Sequence, residues 1–380
     1  MVSEDMSKPE PNLDSSENPE EHVEPLKPSF HKPTIICIGE YPIKILLRGA
    51  LAEKKDEPLP IFIDKFSKDI AEWSQSRLNP DNILGLDLNV DTHFWFQVLS
   101  CVENDGAFLA RLKDKPLDSG AVIVSSLWDG VGSGLLPALI SQFKEWNTDA
   151  VAIGVLPSQM QVSDVHFNAF SSVGLCASKG FASLLLLDRD QLESYVGVDR
   201  SGSVLKGNDF FNYLLELVSA KETFVQELSE LSRAFDVRMY TVLSAAGASL
   251  SMYGSIKNVL DSAMSTPLLK CDLSTASVLY VLIRLPLQLK NKLSRGKIEL
   301  EIANWFKEKA SLQSIFVSEP IYVEDGNDRI DLVMFVGGFD TTKMFAAMEK
   351  KVRAIKSFVV KKGSIKEDDW RVIAKSLGAD

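Results

Sequence analysis

Short apolar runs and longer amphipathic segments alternate along the first half of the chain. The apolar runs predict strands at 34–39, 60–64, 83–88, 121–124, 150–156 and 181–187. Between them, apolar residues three and four positions apart predict helices at 43–51, 67–77, 94–112 and 135–146. This alternation is typical of a parallel sheet with helices on both faces, in which ligands bind at the carboxyl ends of the strands.

The second half of the chain opens with a longer amphipathic segment. Residues 208–235 predict one helix, which would extend about 40 Å at about 1.5 Å per residue, and a further helical pattern covers 240–264. The remainder predicts strands at 276–283, 313–323 and 329–336 and helices at 298–309, 341–355 and 367–377. The predicted fold class is therefore α/β, with a Rossmann-like parallel-sheet domain, a long central helix and a smaller α+β domain.

A glycine-rich segment at 125–134, Ser-Ser-Leu-Trp-Asp-Gly-Val-Gly-Ser-Gly, lies between the fourth strand and its helix. Gly130, Gly132 and Gly134 allow a tight turn and the close approach of a ligand, and Ser133 is expected to cap the helix. The helix N-terminus would present free N–H groups and a partial positive charge, which suit a phosphate. A tight turn without a ligand explains the same glycines equally well.

Composition and charge narrow the classes of function. The chain has 380 residues, of which 45% are apolar, and a formal net charge of −11, which argues against nucleic acid as its main partner. Its cysteines are far apart and its histidines lack ligand spacing, so we expect reduced cysteines and no metal site. We find no signal peptide and no apolar run that spans a bilayer, and we expect a cytoplasmic protein without direct membrane insertion.

The two ends of the chain differ from the part between them. Residues 1–33 are rich in Pro, Glu, Ser and Asn and predict a disordered acidic tail, which either only solvates the protein or docks on a partner. Such a partner could be a division protein or a membrane adaptor. Residues 356–380 form a second tail, whose short helix contains Trp370 and either folds back on its own domain or docks on a partner.

Several motifs, in this order, resemble the tubulin/FtsZ superfamily over about residues 34–350. The segment 129–134, Asp-Gly-Val-Gly-Ser-Gly, is similar to the end of the signature glycine loop of that family, and Asn208-Asp209 opens the long helix as in FtsZ. Other matching segments lie at 156–169, 241–248, 265–269 and 336–339. The resemblance, which extends to divergent archaeal FtsZ-like proteins, implies a nucleotide-binding GTPase-like domain at 34–208, a core helix and loop at 209–238, and an activation domain at 239–355.

The resemblance also implies a site for GTP or GDP with Mg²⁺. It places the nucleotide near Gly39, Gly130, Gly132, Ser133, Gly134, Pro157, Asp164, Arg189 and Asp209. Within this set, Asp164 would either bond the ribose or be a loop acid without a ligand, and the Asp209 carboxylate would accept two hydrogen bonds from guanine. A simpler interpretation of Asp209 is a carboxylate that complements the helix dipole.

The phosphate loops depart from the family pattern. In the first loop, 39–45, only Gly39 is retained, and Pro42 has no N–H to donate. Glu40 and Asp129 add carboxylates where phosphates would lie, which costs a few kcal/mol at an effective dielectric near 20. No retained motif supplies a Mg²⁺ site, so the chain is expected either to bind the nucleotide in a modified site or to bind none.

The catalytic loop is altered as well. The family pattern is Asn-x-Asp-x-x-Asp, and its positions fall on Arg233, Phe235 and Arg238 in this chain. None of these side chains can orient a water as a carboxylate does. Asp236, one residue out of register, is the remaining catalytic candidate, and a second idea is that the two arginines form an ion pair across a contact between subunits.

These observations support two hypotheses of different classes. The first is a pseudo-GTPase of cytoskeletal or cell-division type that acts by assembly with itself, with a related subunit or with another partner. The alternative is an active GTPase with unusual loops that polymerises with GTP and uses Asp236 and Asp209. A Rossmann-like oxidoreductase or methyltransferase is disfavoured, because the glycine loop follows the fourth strand and no acidic residue follows on the next strand.

Overall fold

The computed structural model describes residues 32–49, 60–75, 78–87, 89–180 and 182–379. The predicted acidic tail lies almost entirely outside the described residues. The N-terminal elements are β1 Thr34–Ile38, α1 Glu40–Leu46, β2 Ile61–Asp64, α2 Ser67–Trp73, β3 Ile83–Gly85, α3 Trp95–Glu103, α4 Gly106–Lys113, β4 Ala121–Ser126, α5 Gly130–Glu145, β5 Ala150–Leu156, α6 Ser163–Lys179, β6 Ser183–Asp188 and α7 Arg189–Ser194.

The C-terminal half of the chain begins with a short hairpin and continues into a second group of strands and helices. Its elements are β7 Val196–Val198, β8 Val204–Lys206, α8 Gly207–Ala220, α9 Phe224–Phe235, β9 Met239–Ser249, α10 Leu250–Tyr253, α11 Ile256–Ser265, β10 Val278–Pro286, α12 Arg295–Phe306, β11 Ser314–Val317, β12 Ile321–Val323, β13 Arg329–Gly337, α13 Thr342–Lys361 and α14 Glu367–Ser376.

One sheet runs through both halves. Strands β3, β2, β1, β4, β5 and β6 are parallel, as the sequence pattern predicts. The structure adds their order, in which they lie side by side as just named. Strand β6 then pairs in parallel with β9, at Leu184 opposite Met239 and Leu185 opposite Tyr240. Strands β9, β13 and β10 are antiparallel, and β10 also pairs with β11 and β12. Helices cover both faces of the N-terminal strands, which explains why their residues are almost all buried.

The predicted central helix is divided into two helices, α8 and α9. Lys221 has extended backbone angles, φ −95° and ψ 100°, and ends α8, and α9 begins only at Phe224. The turn lets Phe224 pack against Tyr280 and Phe335, with ring centroids 5.6 and 5.2 Å away. The apolar spacing continues across this turn, so periodicity alone could not reveal the break.

The predicted helix at 240–264 is wrong over its first half, which is the long strand β9. Residues 240–249 are all buried, because β9 lies between β6 and β13. A strand buried on both faces loses the alternation of polar and apolar residues and reads as a continuous apolar segment. The predicted helix at 94–112 is likewise two helices, since the Asp105 side chain accepts the Phe108 N–H and begins α4.

The terminal helix α14 packs on the protein itself. Trp370 stacks on Phe167 and Phe170 of α6, with ring centroids 5.6 and 5.2 Å away. The Ile373 side chain packs closely against Gly174 of α6, since a Cβ on this glycine would lie only 2.6 Å from it. The structure therefore favours the interpretation in which this helix folds back on its own domain.

A buried ion pair connects elements of the C-terminal half. Arg284 of β10 donates from Nε to Asp331 Oδ2 of β13 over 2.6 Å, and Asp331 is fully buried. Asp331 Oδ1 accepts the Tyr213 hydroxyl of α8 at 2.8 Å and the Gly247 N–H of β9 at 2.7 Å. Burial raises the pKa of Tyr213, so its hydroxyl remains a donor. One carboxylate thus ties one helix and three strands together.

We predict that Asp331→Ala strongly destabilises the protein, because it leaves the buried Arg284 guanidinium without its carboxylate. The expected loss in the free energy of unfolding is about 3–5 kcal/mol, measured by urea denaturation. Asp368→Ala is the matched control, since the Asp368 side chain is 88% exposed and its partner Arg371 is exposed too. A loss for Asp331→Ala no larger than that of the control would contradict this role.

Candidate functional site

A cavity of about 580 Å³ opens at the carboxyl ends of β1, β2 and β4. We call it the β1–β2 cavity. It is lined by Glu40, Tyr41, Lys44, Ile45, Arg48, Asp64, Lys65, Asp69, Trp73, Thr92, Trp128, Asp129, Val131, Arg189 and Asn208. Because parallel sheets bind ligands at this edge, and because the predicted phosphate loops lie here, it is the candidate nucleotide site.

The Asp129 carboxylate occupies the N-terminus of α5. Its Oδ1 accepts the Gly132 N–H at 2.7 Å, and its Oδ2 accepts the Ser126 hydroxyl at 3.0 Å. The Gly130 N–H donates to the Thr92 carbonyl over 3.1 Å. Two of the N–H groups that the sequence assigned to a phosphate are therefore bonded within the chain.

The predicted cap at Ser133 is wrong. Helix α5 begins at Gly130, so the glycine loop forms its first turn and Asp129 is the N-cap residue. The Ser133 side chain is fully buried and donates to the Asp129 carbonyl. The sequence pattern failed here because glycines suggested a loop, whereas the acidic residue just before them supplies the capping oxygen.

Close packing of backbones accounts for the glycines without a ligand. A Cβ on Gly132 would lie 1.9 Å from the Ser126 carbonyl oxygen, and a Cβ on Gly130 would lie 2.2 Å from the Thr92 carbonyl oxygen. A Cβ on Gly134 would lie 2.5 Å from the Trp95 carbonyl oxygen of α3. The first turn of α5 is thus wedged between β4 and the segment that leads into α3.

Gly39 ends β1 with a positive φ of 84°. Its N–H donates to the Ile63 carbonyl over 2.9 Å, so this group is bonded to β2. A Cβ on Gly39 would lie 3.3 Å from the Ser126 Oγ and 3.7 Å from an Asp129 carboxylate oxygen. The Gly39 backbone therefore lies beside the Asp129 carboxylate.

Further carboxylates line the same part of the cavity. Burial raises the pKa of Asp64 to about 6, with Asp129, Asp69 and Glu40 adding to the shift and the Lys65 N–H opposing it. Burial also raises the pKa of Asp129, although the Gly132 and Val131 N–H groups and the Ser126 hydroxyl lower it. These carboxylates disfavour a further negative charge close to them, whereas Lys44, Arg48, Lys65 and Arg189 line the same cavity.

Arg189 lies in the cavity but contacts aromatic side chains of the same chain. Its guanidinium carbon is 5.1 Å from the Trp128 ring centroid and 5.8 Å from that of Tyr41. Its Nε donates to Glu193 Oε1 over 2.7 Å. The Tyr41 hydroxyl donates to Asn208 Oδ1 over 3.2 Å, and the Tyr41 and Trp128 rings meet edge to face. This cluster lines the cavity at the N-terminal ends of α7 and α8.

The remaining predicted nucleotide ligands do not line the β1–β2 cavity. Asp209 is exposed in the first turn of α8, and Asn208 beside it lines the cavity instead. The sequence predicted Asn208 only as part of the Asn208-Asp209 motif, not as a ligand. That motif was nevertheless the signal that pointed to this end of α8. Pro157 is buried after β5, and Asp164 Oδ2 lies 2.7 Å from His93 Nε2.

The connection that should carry the catalytic loop has three residues, 236–238, between α9 and β9. Asp236 has a left-handed backbone, φ 49° and ψ 38°, and its side chain is 86% exposed. Arg233 pairs with Asp149 of its own chain at 2.7 Å, and Arg238 donates to the Ala177 carbonyl. Both arginines thus have partners within their own chain. The earlier idea instead placed them in an ion pair across a contact between subunits.

Two further features bear on the chemistry of the described residues. They contain no group of three or more His, Cys, Asp or Glu side chains arranged to hold a metal ion. Among the helices that the structure describes, none combines the length and the apolar composition needed to cross a bilayer.

Comparison with known proteins identifies the fold. No protein-family model matches the sequence, and neither does any curated protein. The GDP-bound monomer of CetZ1 from Haloferax volcanii is similar with a TM-score of 0.67 and 16% identity, covering 86% of this chain and 99% of that chain. CetZ from Methanosaeta thermophila strain DSM 6194 is similar with a TM-score of 0.65 and 17% identity, covering 90% and 97%. The chain therefore has the tubulin/FtsZ fold, and the predicted fold class is confirmed.

We predict that Gly132→Ala destabilises the protein by about 1–3 kcal/mol, because the added Cβ overlaps the Ser126 carbonyl oxygen. Thermal and urea unfolding measure the loss. The matched control is Gly296→Ala in α12, where a Cβ would meet nothing within 4 Å. Equal stability of the two variants would show that α5 is not held as closely against β4 as the structure indicates.

We predict that Asp64→Asn stabilises the protein at pH 7 by on the order of 1–3 kcal/mol. The raised pKa keeps a proton on Asp64 in the folded protein up to about pH 6, whereas the unfolded chain releases it near the ordinary aspartate pKa of 3.8. Wild-type stability is therefore lost as the pH rises from about 4 to about 6, and the Asn variant lacks this loss. Urea unfolding of both proteins from pH 4 to pH 8 tests this, and a difference independent of pH would contradict it.

Proposed function

We propose that this chain is a cytoskeletal protein of tubulin/FtsZ type that assembles through its own subunits and does not hydrolyse GTP. The observation that carries the proposal is the Asp129 carboxylate at the N-terminus of α5. CetZ1, which has a similar fold, was solved as a GDP-bound monomer. The β1–β2 cavity is the corresponding candidate site in this chain. A built-in anion takes the place that a nucleotide phosphate would need.

Electrostatics support the absence of a triphosphate. A carboxylate 5 Å from a phosphate charge raises the energy by about 3 kcal/mol at an effective dielectric of 20. Asp129 cannot move aside without cost, because two side-chain hydrogen bonds hold it and the N-terminus of α5 depends on it. Lys44, a cation in the same cavity, is paired with Glu40 of α1.

The proposed loss of hydrolysis rests on the residues at the end of α9 and in the connection to β9. The positions of the acidic pattern fall there on Arg233, Phe235 and Arg238, none of which carries a carboxylate. Asp236, the catalytic candidate from the sequence, points to solvent beside Arg238. A subunit without hydrolysis would assemble without the nucleotide-driven disassembly that the resemblance implies for the family.

Assembly is supported by exposed apolar side chains near the carboxyl ends of the strands. Met160 and Val162, in the segment between β5 and α6, are 92% and 65% exposed. Such side chains are unfavourable in water and become buried when a second subunit covers this edge. The partner would be a second copy or a related subunit, and a role in cell division in the cytoplasm is part of this proposal.

The experiment is calorimetric titration of the full chain with GTP and with GDP in the presence of Mg²⁺, with light scattering on the same samples. We predict no binding to the wild type and assembly that does not depend on nucleotide. Asp129→Gly should gain measurable GTP affinity, because it frees the Gly132 N–H and removes the charge. Asp69→Ala is the control, since Asp69 lines the same cavity but does not cap α5.

The competing function is an active GTPase that polymerises with GTP, and the open volume beside Arg189 and Lys65 favours it. Tight GTP binding by the wild type, with turnover that disappears in Asp236→Ala, would establish this function and overturn the proposal. Binding without turnover would leave a nucleotide-bound protein that lacks hydrolysis, which also contradicts the proposed role of Asp129.

A further inference from the structure

We propose that a second cavity, between α6 and α13, binds a small organic acid with an anionic head and an apolar body. This α6–α13 cavity has a volume of about 600 Å³, within the usual range for small-molecule sites. It lies beyond the ends of β5 and β6 and shares no lining residue with the β1–β2 cavity. The inference is therefore independent of the proposed function.

A buried histidine without a hydrogen-bond partner lines the cavity. His166 of α6 is 1% exposed, and neither ring nitrogen has a partner that meets hydrogen-bond geometry. Burial and the Lys351 ammonium lower the pKa of His166, while the nearby Gln159 and Gln161 main chain acts in the opposite direction. The neutral imidazole thus offers one N–H donor and one acceptor nitrogen to a ligand in the cavity, in competition with the nearby Gln159 and Gln161 main chain.

The charged side chains of the cavity differ in how many hydrogen bonds they already form within the protein. The acidic side chains of the cavity are those of Asp188, Asp272 and Asp340. Each accepts a hydrogen bond from at least one main-chain N–H at the start of the element that follows it. Lys351 donates to the main-chain and side-chain oxygens of Gln159 at 3.1 and 2.8 Å.

Lys270 and Lys343 also line the cavity, and neither lies within ion-pair or hydrogen-bond distance of another described residue. Their charges act at longer range, Lys343 on Asp272 and Asp340 and Lys270 on Asp190. The hydrogen-bonding capacity left for a ligand is therefore mostly that of cationic donors. Such donors select an anion with several acceptor oxygens, as in a carboxylate or a phosphate.

The other side of the cavity is apolar. Leu156 and Leu269 line it from the sheet side, and Met344, Ala347 and Met348 line it from α13. Methionine side chains adapt to ligands of varied shape. Cations on one side and apolar groups on the other favour a ligand with both characters over a bare inorganic anion.

The test uses the full chain labelled with ¹⁵N-histidine, titrated with octanoate and separately with inorganic phosphate. We expect octanoate to shift the His166 ring signals in a saturable way, and phosphate to bind at least tenfold more weakly because it has no apolar body. His93 is the internal reference, since it is half exposed, is paired with Asp164 and lies outside the cavity.

Charge-removing variants separate a site from non-specific attraction. The double variant Lys270→Gln/Lys343→Gln should weaken octanoate binding at least tenfold. Lys350→Gln should leave it unchanged, because Lys350 is exposed on α13 and does not line the cavity. Circular dichroism verifies that the variants fold, and all of the substituted lysines are on the surface or at the rim.

Three outcomes would overturn the proposal. The first is the absence of any saturable shift of the His166 signals with either probe. The second is an equal loss of binding in Lys350→Gln and in the double variant, which would mean attraction to surface charge. The third is phosphate binding as tight as that of octanoate, which would assign the cavity to an inorganic anion.

Discussion

The buried carboxylate of Asp129 is the interaction on which the candidate nucleotide site depends. It satisfies the N-terminus of α5, bonds the end of β4 through Ser126, and lies beside the backbone of Gly39. In a helix that begins with glycines, this one side chain supplies the acceptor oxygen for a free N–H of the first turn. The motif that resembles a phosphate-binding loop thus follows directly on its own helix-capping residue.

The single sheet sets the second constraint. Its parallel and antiparallel parts are joined by the short pairing of β6 with β9, so other contacts must hold the C-terminal strands in place. The Arg284–Asp331 pair and the packing of Phe224 beneath β10 and β13 supply them. Because Asp331 is fully buried and fully bonded, these elements cannot shift separately without leaving a charge unpaired.

The two cavities differ in how their polar groups are satisfied. In the β1–β2 cavity, Asp129, Arg189 and Lys44 all have partners within the chain. In the α6–α13 cavity, the two ring nitrogens of the buried His166 have no partner that meets hydrogen-bond geometry. Polar groups that lack partners in a protein interior are costly, and this difference directs attention to the second cavity as a ligand site.

The sequence by itself determined the alternation of strands and helices, the parallel sheet of the first half, and the departure from the phosphate pattern at Glu40 and Pro42, because periodicity and residue chemistry are local. Only the tertiary structure decided that α8 ends at Ala220, that 239–249 is a strand, and that Asn208, not Asp209, lines the cavity. It alone showed why glycines are required at the start of α5. The Thr92 carbonyl, which leaves no space for a Cβ on Gly130, is distant from it in the sequence. Such contacts depend on which backbones meet in space, and no local pattern encodes them.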